Sequence, residues 1–285
     1  PFNAVNTPIT MKTSDGIYLS FHEAMLEDYS DMTLGIDSSG LKMKSILVGT
    51  ERRPYKVERK LPFMSPWRTI MVSERAGGLI ESNLITNLND ECCLEDISWI
   101  KPAKYCGIWW EMHLGISSWA KEGGMHGATT AHAKEMIDFA AENDLQAVLV
   151  EGWNTGWEHW IGFEDREGVF DFVTPYDDYD LVEVVKYGKQ KGVELIMHHE
   201  TSAATETYEK QMDSAFRLMH SLGIHYVKTG YVGKILPKGE YHHGQYMVRH
   251  YRKVLETAAR NQVSVIAHEP IKPTGIRRTF PNMLS

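Results

Sequence analysis

The chain has 285 residues, 30 basic and 38 acidic side chains, a formal net charge of −8 and 42 % hydrophobic residues. That composition supports a buried core, offers no basic stripe for a phosphate backbone, and contains no apolar run near the roughly 20 residues that span a bilayer. Cys92, Cys93 and Cys106 form neither a disulfide framework nor a Cys-x-x-Cys metal knuckle.

Residues 1–100 read as β structure. Short runs near period two fall at 17–21, 32–36, 41–47 and 68–72, with turn signals at Ser14-Asp15-Gly16 and Asp37-Ser38-Ser39-Gly40 between them. This is the texture of an antiparallel sandwich, the last part of one.

After Pro102 the texture changes. Compact, largely apolar strands are predicted at 105–110, 145–150, 193–197, 226–228 and 263–267, with a possible sixth starting at Arg278-Thr279-Phe280. Helical stretches at 130–142, 180–190, 206–222 and 246–261 lie between them, and the third places Met212, Ala215, Phe216 and Met219 on one face. Strand–helix alternation implies a parallel sheet with covered faces. No Gly-x-Gly-x-x-Gly or P-loop opens any helix, so a nucleotide-binding doubly wound sheet is unsupported. A (β/α)8 TIM-type barrel fits better, with its chemistry at the C-terminal strand ends. Residues 101–285 are too few for the roughly 250 of a complete barrel, so the expectation is a partial one after a sandwich remnant, with the division at residue 100.

Three of these strands end in a carboxylate. The second closes on Val150-Glu151-Gly152-Trp153-Asn154, the third on His198-His199-Glu200 and the fifth on His268-Glu269-Pro270. All would point into one bowl. Paired carboxylates are what glycoside hydrolysis needs, one to protonate the leaving oxygen and one to attack or to activate water. Imidazoles beside them can contact sugar hydroxyls, and Trp109, Trp110, Trp153 and Trp157 can stack on a sugar ring. Each residue also has an ordinary role open to it: core packing for the tryptophans, pairing with a buried cation for Glu151, a loop position for Glu200 and Glu269. A zinc site on His198 and His199 lacks a third ligand at zinc-like spacing, and a hard cation such as calcium suits these oxygen donors better. Glu23, in Phe21-His22-Glu23-Ala24, reads from its surroundings alone as an exposed strand-end acid.

Six ordered motifs together resemble glycoside hydrolase family 97. They are His22-Glu23-Ala24, Pro66-Trp67-Arg68-Thr69-Ile70, Lys104-Tyr105-Cys106-Gly107-Ile108-Trp109-Trp110, Val150-Glu151-Gly152-Trp153-Asn154, His198-His199-Glu200-Thr201, and the run from His268-Glu269-Pro270 to Gly275. The resemblance covers nearly the whole chain and implies a calcium-dependent, exo-acting α-glycosidase. Retaining members, the α-galactosidases, carry an Asp nucleophile at the end of the fourth barrel strand, where this chain has Gly230. That implies the inverting α-glucosidase branch, acting on non-reducing ends of α-glucans and oligosaccharides, with Glu200 and Glu269 as the bases that polarise water.

By the same resemblance, Glu23 and Glu269 are calcium ligands. His199 and His268 are sugar-hydroxyl contacts and placement is periplasmic or secreted; the strand-end pattern adds His198, Trp110, Glu151 and Trp153 as expected substrate contacts. The family's general acid and remaining calcium ligands follow the Arg277-Arg278-Thr279-Phe280-Pro281-Asn282 motif, beyond Ser285, so this stretch alone is expected to be an inactive fragment. A retaining α-galactosidase and a non-catalytic carbohydrate-binding protein are the competing readings.

Overall fold

The computed structural model describes residues 3–37, 39, 42–269 and 271–285. Ser38, Gly40, Leu41 and Pro270, each part of an expected turn, strand or motif, lie outside the described residues. The chain divides into two compact units, one of Pro1–Glu95, Lys238–Lys253 and Pro270–Pro281, the other of Asp96–Pro237, Val254–Glu269 and Asn282–Ser285. The first continuous run thus ends five residues short of the expected division at 100, and two later segments join it.

The first unit holds two three-stranded antiparallel sheets. One runs β1 (Ala4–Asn6), β4 (Met32–Ile36), β5 (Met43–Leu47); the other runs β2 (Ile9–Lys12), β3 (Tyr18–Ala24), β6 (Trp67–Ser73). β1 and β2 are only three and four residues long, too short to leave a periodic signal, and were not anticipated. In β6 the alternation is direct: Thr69 is buried while Arg68 and Ile70 on either side are exposed. Helices α1 (Ala76–Ile80) and α2 (Leu84–Asn87) follow.

A lysine closes this unit. Lys272 Nζ reaches Glu23 Oε1 at 2.7 Å, Asp31 Oδ1 at 2.5 Å and the Met32 carbonyl at 2.6 Å, all buried. Two carboxylates and one ammonium can share a dry interior only by pairing in this way. The extended strand expected from Arg278 does not form. Residues Ile276–Arg278 are instead one turn of 3₁₀ helix entered through Gly275 at φ +91°, and the Phe280 N–H donates back to the Ile276 carbonyl at 2.8 Å.

The second unit is a five-stranded parallel sheet in the order β11-β10-β9-β8-β7. Its strands are β7 (Tyr105–Ile108), β8 (Ala147–Val150), β9 (Glu194–Glu200), β10 (Tyr226–Gly230) and β11 (Ser264–Ala267). Sheet neighbours are also sequence neighbours throughout, so there is no switch point of the doubly wound kind, and the winding is that of a partial barrel. Helices α3 (Trp110–His113), α4 (Thr130–Glu142), α5 (Leu181–Lys191), α6 (Thr205–Leu222) and α7 (Gln245–Arg260) complete the chain.

Local chemistry sets the helix limits. Thr129 and Asp180 accept hydrogen bonds from the His132 and Glu183 N–H groups and so cap α4 and α5. Gly192 stops α5 in the left-handed conformation. Met212, Ala215, Phe216 and Met219 of α6 are all buried.

Candidate active site

The C-terminal ends of β8 to β11 gather the reactive side chains. Register pairs Lys228 with His198 and Gly230 with Glu200, so all four lie on one face of adjacent strands. Glu151 follows the last residue of β8, whose Val150 pairs with Met197. It therefore extends toward the same face.

Glu151 is the hub of a buried polar group. Its Oε1 accepts from Lys228 Nζ at 2.9 Å and lies 3.7 Å from His198 Nε2, and its Oε2 accepts from Trp119 Nε1 at 3.0 Å. Burial alone would raise its pKa, but the Lys228 charge, with the Lys228 and Trp119 hydrogen bonds, brings the carboxyl below its usual value. His198 stacks on Trp157 with ring centres 5.7 Å apart, and Trp157 stacks on Trp119 at 6.1 Å. Burial pushes His198 down to about 4 even with Glu151 beside it, so the imidazole is neutral. Its C–H and N–H edges can meet hydroxyls without introducing a charge.

Glu200 sits deeper. One oxygen, Oε1, accepts from the Ser202 and Val232 N–H groups at 2.7 and 3.1 Å. The other, Oε2, lies over Gly230, where a Cβ would stand 2.1 Å from it. Burial is the largest influence on this carboxyl and lifts it to about 8, the two N–H donors pulling the other way and Glu269 and Glu151 adding to the rise. Glu269 accepts from the Tyr231 N–H at 3.0 Å, in a left-handed conformation at φ +53° just past β11, with His268 Nδ1 2.9 Å from its other oxygen. Glu200 and Glu269 thus each take an N–H from the two residues that follow Gly230.

Several expected contacts fall elsewhere. His199 faces away from His198 and Glu200, because strand side chains alternate. Its Nδ1 meets the Tyr208 hydroxyl of α6 at 3.0 Å, among Phe172 and Phe216. Burial lowers it to about 3 and it is part of the sheet–helix packing, which corrects its expected role as a sugar contact. Trp153 is 1 % exposed and donates to the His198 carbonyl at 2.8 Å, so it braces β9 and presents no face for stacking. Trp110 is exposed on α3, and His268 is exposed beside Glu269. Trp119 and Lys228 were not singled out from the sequence. Lys228 had a signal, a lone cation inside the apolar run 226–228, whereas Trp119 lies in a loop with no periodicity.

Glu23 is not an exposed acid. It is wholly buried in the first unit, its carboxylate held by Lys272, Arg68 and the Met32 N–H. Burial raises its pKa and Lys272 draws it back. Calcium takes roughly six to eight oxygen ligands. Two cations already occupy the Glu23 oxygens, and among the described residues no group of three or more His, Cys, Asp or Glu side chains is arranged to hold a metal. As the first unit stands, the Glu23 carboxylate is held by Lys272 and Arg68.

The family model for glycoside hydrolase 97 matches residues 109–285, and that for the glycosyl hydrolase 97 N-terminal region matches residues 2–90. The chain belongs to glycoside hydrolase family 97. A family 97 enzyme from Pseudoalteromonas sp., solved in complex with acarbose, is 45 % identical at TM-score 0.91 over 98 % of this chain and 43 % of its own. A variant of that enzyme was solved with panose. The retaining alpha-galactosidase of Bacteroides thetaiotaomicron is 24 % identical over 98 % of this chain and 41 % of its own length. A beta-arabinopyranosidase, 19 % identical at TM-score 0.67, shares the fold. The chain therefore spans less than half of the relatives it matches.

Proposed function

We propose that the protein is an exo-acting α-glucosidase that releases glucose from the non-reducing ends of α-glucans and oligosaccharides with inversion of configuration. The observation that carries this reading is Gly230. It offers no nucleophile, and the Glu200 carboxylate occupies the space that any side chain there would need. With no side chain at 230 no covalent glycosyl-enzyme forms there, and attack by an activated water is the route open to a pair of carboxylates. Glu269 and, once it has lost its proton, Glu200 are the bases that polarise that water. The neutral His198 and the Glu151–Lys228 pair bind sugar hydroxyls, with exposed Trp110 and His268 at the rim.

The 45 % identical relative supports the substrate class, since it was solved with acarbose and, as a variant, with panose. The reading as a retaining α-galactosidase is favoured by the curated relative's name, but it needs a side chain where Gly230 has none. A calcium requirement belongs to the proposal through the resemblance, and Glu23 would join such an ion only by exchanging Lys272 for it. The proposal includes that the enzyme is periplasmic or secreted.

The test is proton NMR of the anomer first released from maltose by the protein expressed from its complete reading frame. β-Glucose first is expected. α-Glucose first, or turnover of melibiose in preference to maltose, overturns the reading.

A further inference from the structure

The loop between β8 and α5 sends one arginine into the interior of the second unit. Arg166 is 6 % exposed. Its hydrogen-bond partners among the described residues are neutral oxygens: the carbonyl of Ser202, the carbonyl of Val232 at 3.3 Å, that of Lys234 at 2.8 Å, and the Ser202 hydroxyl at 3.5 Å. Burying a guanidinium is costly and carbonyls alone compensate it poorly, so its position calls for a reason.

The reason lies across the same two residues. Ser202 and Val232 are the pair whose N–H groups hold Glu200 Oε1 at 2.7 and 3.1 Å. Each donates forward to the carboxylate and accepts behind from the guanidinium. The N–H and the carbonyl of one residue belong to adjacent peptide units. Arg166 therefore acts by fixing backbone direction, not by polarising a single amide. The 201–203 turn is also tied by the Thr201 N–H and hydroxyl, which donate to the Gly230 carbonyl, and by the Ala203 carbonyl, which accepts from the Leu236 N–H, but none of these bonds reaches Ser202 or Val232. Ser202 and Ala203 sit at φ +50° and +57°, a region non-glycine residues occupy only when their surroundings impose it. Gly233, at φ +101°, is the complement: a Cβ there would stand 2.7 Å from Arg166 Nη1.

We infer that Arg166 is the positioning residue of Glu200, a brace that ties the 201–203 turn to the 231–234 turn so that two N–H groups converge on one carboxylate oxygen. The planar fork, not the charge alone, does this, because it spans carbonyls from two separate segments in one rigid group. The inference rests on Glu200 being the base of the proposed reaction, but the brace itself can be tested without substrate.

Arg166→Met and Arg166→Lys are made in the protein expressed from its complete reading frame. Amide hydrogen exchange is followed over residues 201–204 and 231–235, with β8 as an internal control, and steady-state kinetics are measured on maltose. Exchange at Ser202 and Val232 is expected to quicken about tenfold, the net worth of one hydrogen bond, with β8 unchanged. A misplaced base is expected to lower kcat about 100-fold while KM stays within about twofold. Arg166→Lys shows the same pattern to a smaller degree, and carries the test if Arg166→Met does not fold. Wild-type exchange at both amides in a folded variant overturns the inference, as does a raised KM at unchanged kcat. If the unaltered protein does not cleave maltose, the proposed function fails, and the exchange result still decides whether Arg166 holds the two turns.

Discussion

Gly230→Ala isolates the contact on which the functional reading turns. Gly230 is not among the glycines with positive φ, so alanine meets no backbone strain there and its cost comes from contact alone. The new Cβ would lie 2.1 Å from Glu200 Oε2, 3.0 Å from its Cδ and 3.4 Å from His198 Nε2. The imidazole distance is tolerable, so the clash is with Glu200, whose carboxylate must retreat by about 1 Å to reach an ordinary contact. Retreat loosens the bonds from the Ser202 and Val232 N–H groups, and overpacking of this size costs about 1–3 kcal/mol. A displacement of about 1 Å at a reacting group also lowers kcat by about 100-fold.

Urea denaturation and maltose turnover measure the two effects. A double-mutant cycle with Glu200→Ala assigns them, since removing the carboxylate should abolish most of the alanine penalty. The reasoning is refuted if Gly230→Ala costs the same in both backgrounds, or if it changes stability by less than about 0.5 kcal/mol.

Three further outcomes are expected. Glu200, raised to about 8 from an ordinary 4.5, contributes stability that is full below pH 4.5 and is lost as pH rises toward 8. His198, lowered to about 4 from 6.5, contributes stability present above pH 6.5 and lost as pH falls toward 4. Glu200→Gln should therefore remove a decline of order 5 kcal/mol at most between pH 4.5 and 8, read from urea midpoints against pH, and an unchanged wild-type slope in the variant would contradict the buried acid. Lys272→Met strands Glu23 and Asp31 without their shared cation and should destabilise the protein by about 3–5 kcal/mol in urea; a loss below about 1 kcal/mol would mean that the two carboxylates are not held as described. Metal analysis of the purified protein, with a thermal shift on chelation and re-addition, should show bound calcium, and a calcium-free protein with full activity would remove the ion from the proposal.

The long helices of the second unit were legible from their period, with caps at α4 and α5, and its parallel strands as apolar runs set between those helices. Thr130–Glu142 and Thr205–Leu222 fall within a residue of their expected limits. β1 and β2 were not, since three or four residues hold no pattern. The site was half legible. Glu151, His198 and Glu200 announced themselves as polar residues closing apolar strands, and the winding did bring them to one face.

The sequence alone determined the residue types, the strand–helix alternation and the glycine at 230, because these depend on neighbours in the chain. Only the tertiary structure decided that His199 packs against Tyr208 while His198 meets Glu151, that Glu23 is buried against Lys272, and that Arg166 stands behind Glu200. In each case the partner lies many residues away or on the opposite face of a strand. Which face a strand residue takes is set by register with its neighbours, and which buried charge finds a counter-charge is set by what the fold brings beside it.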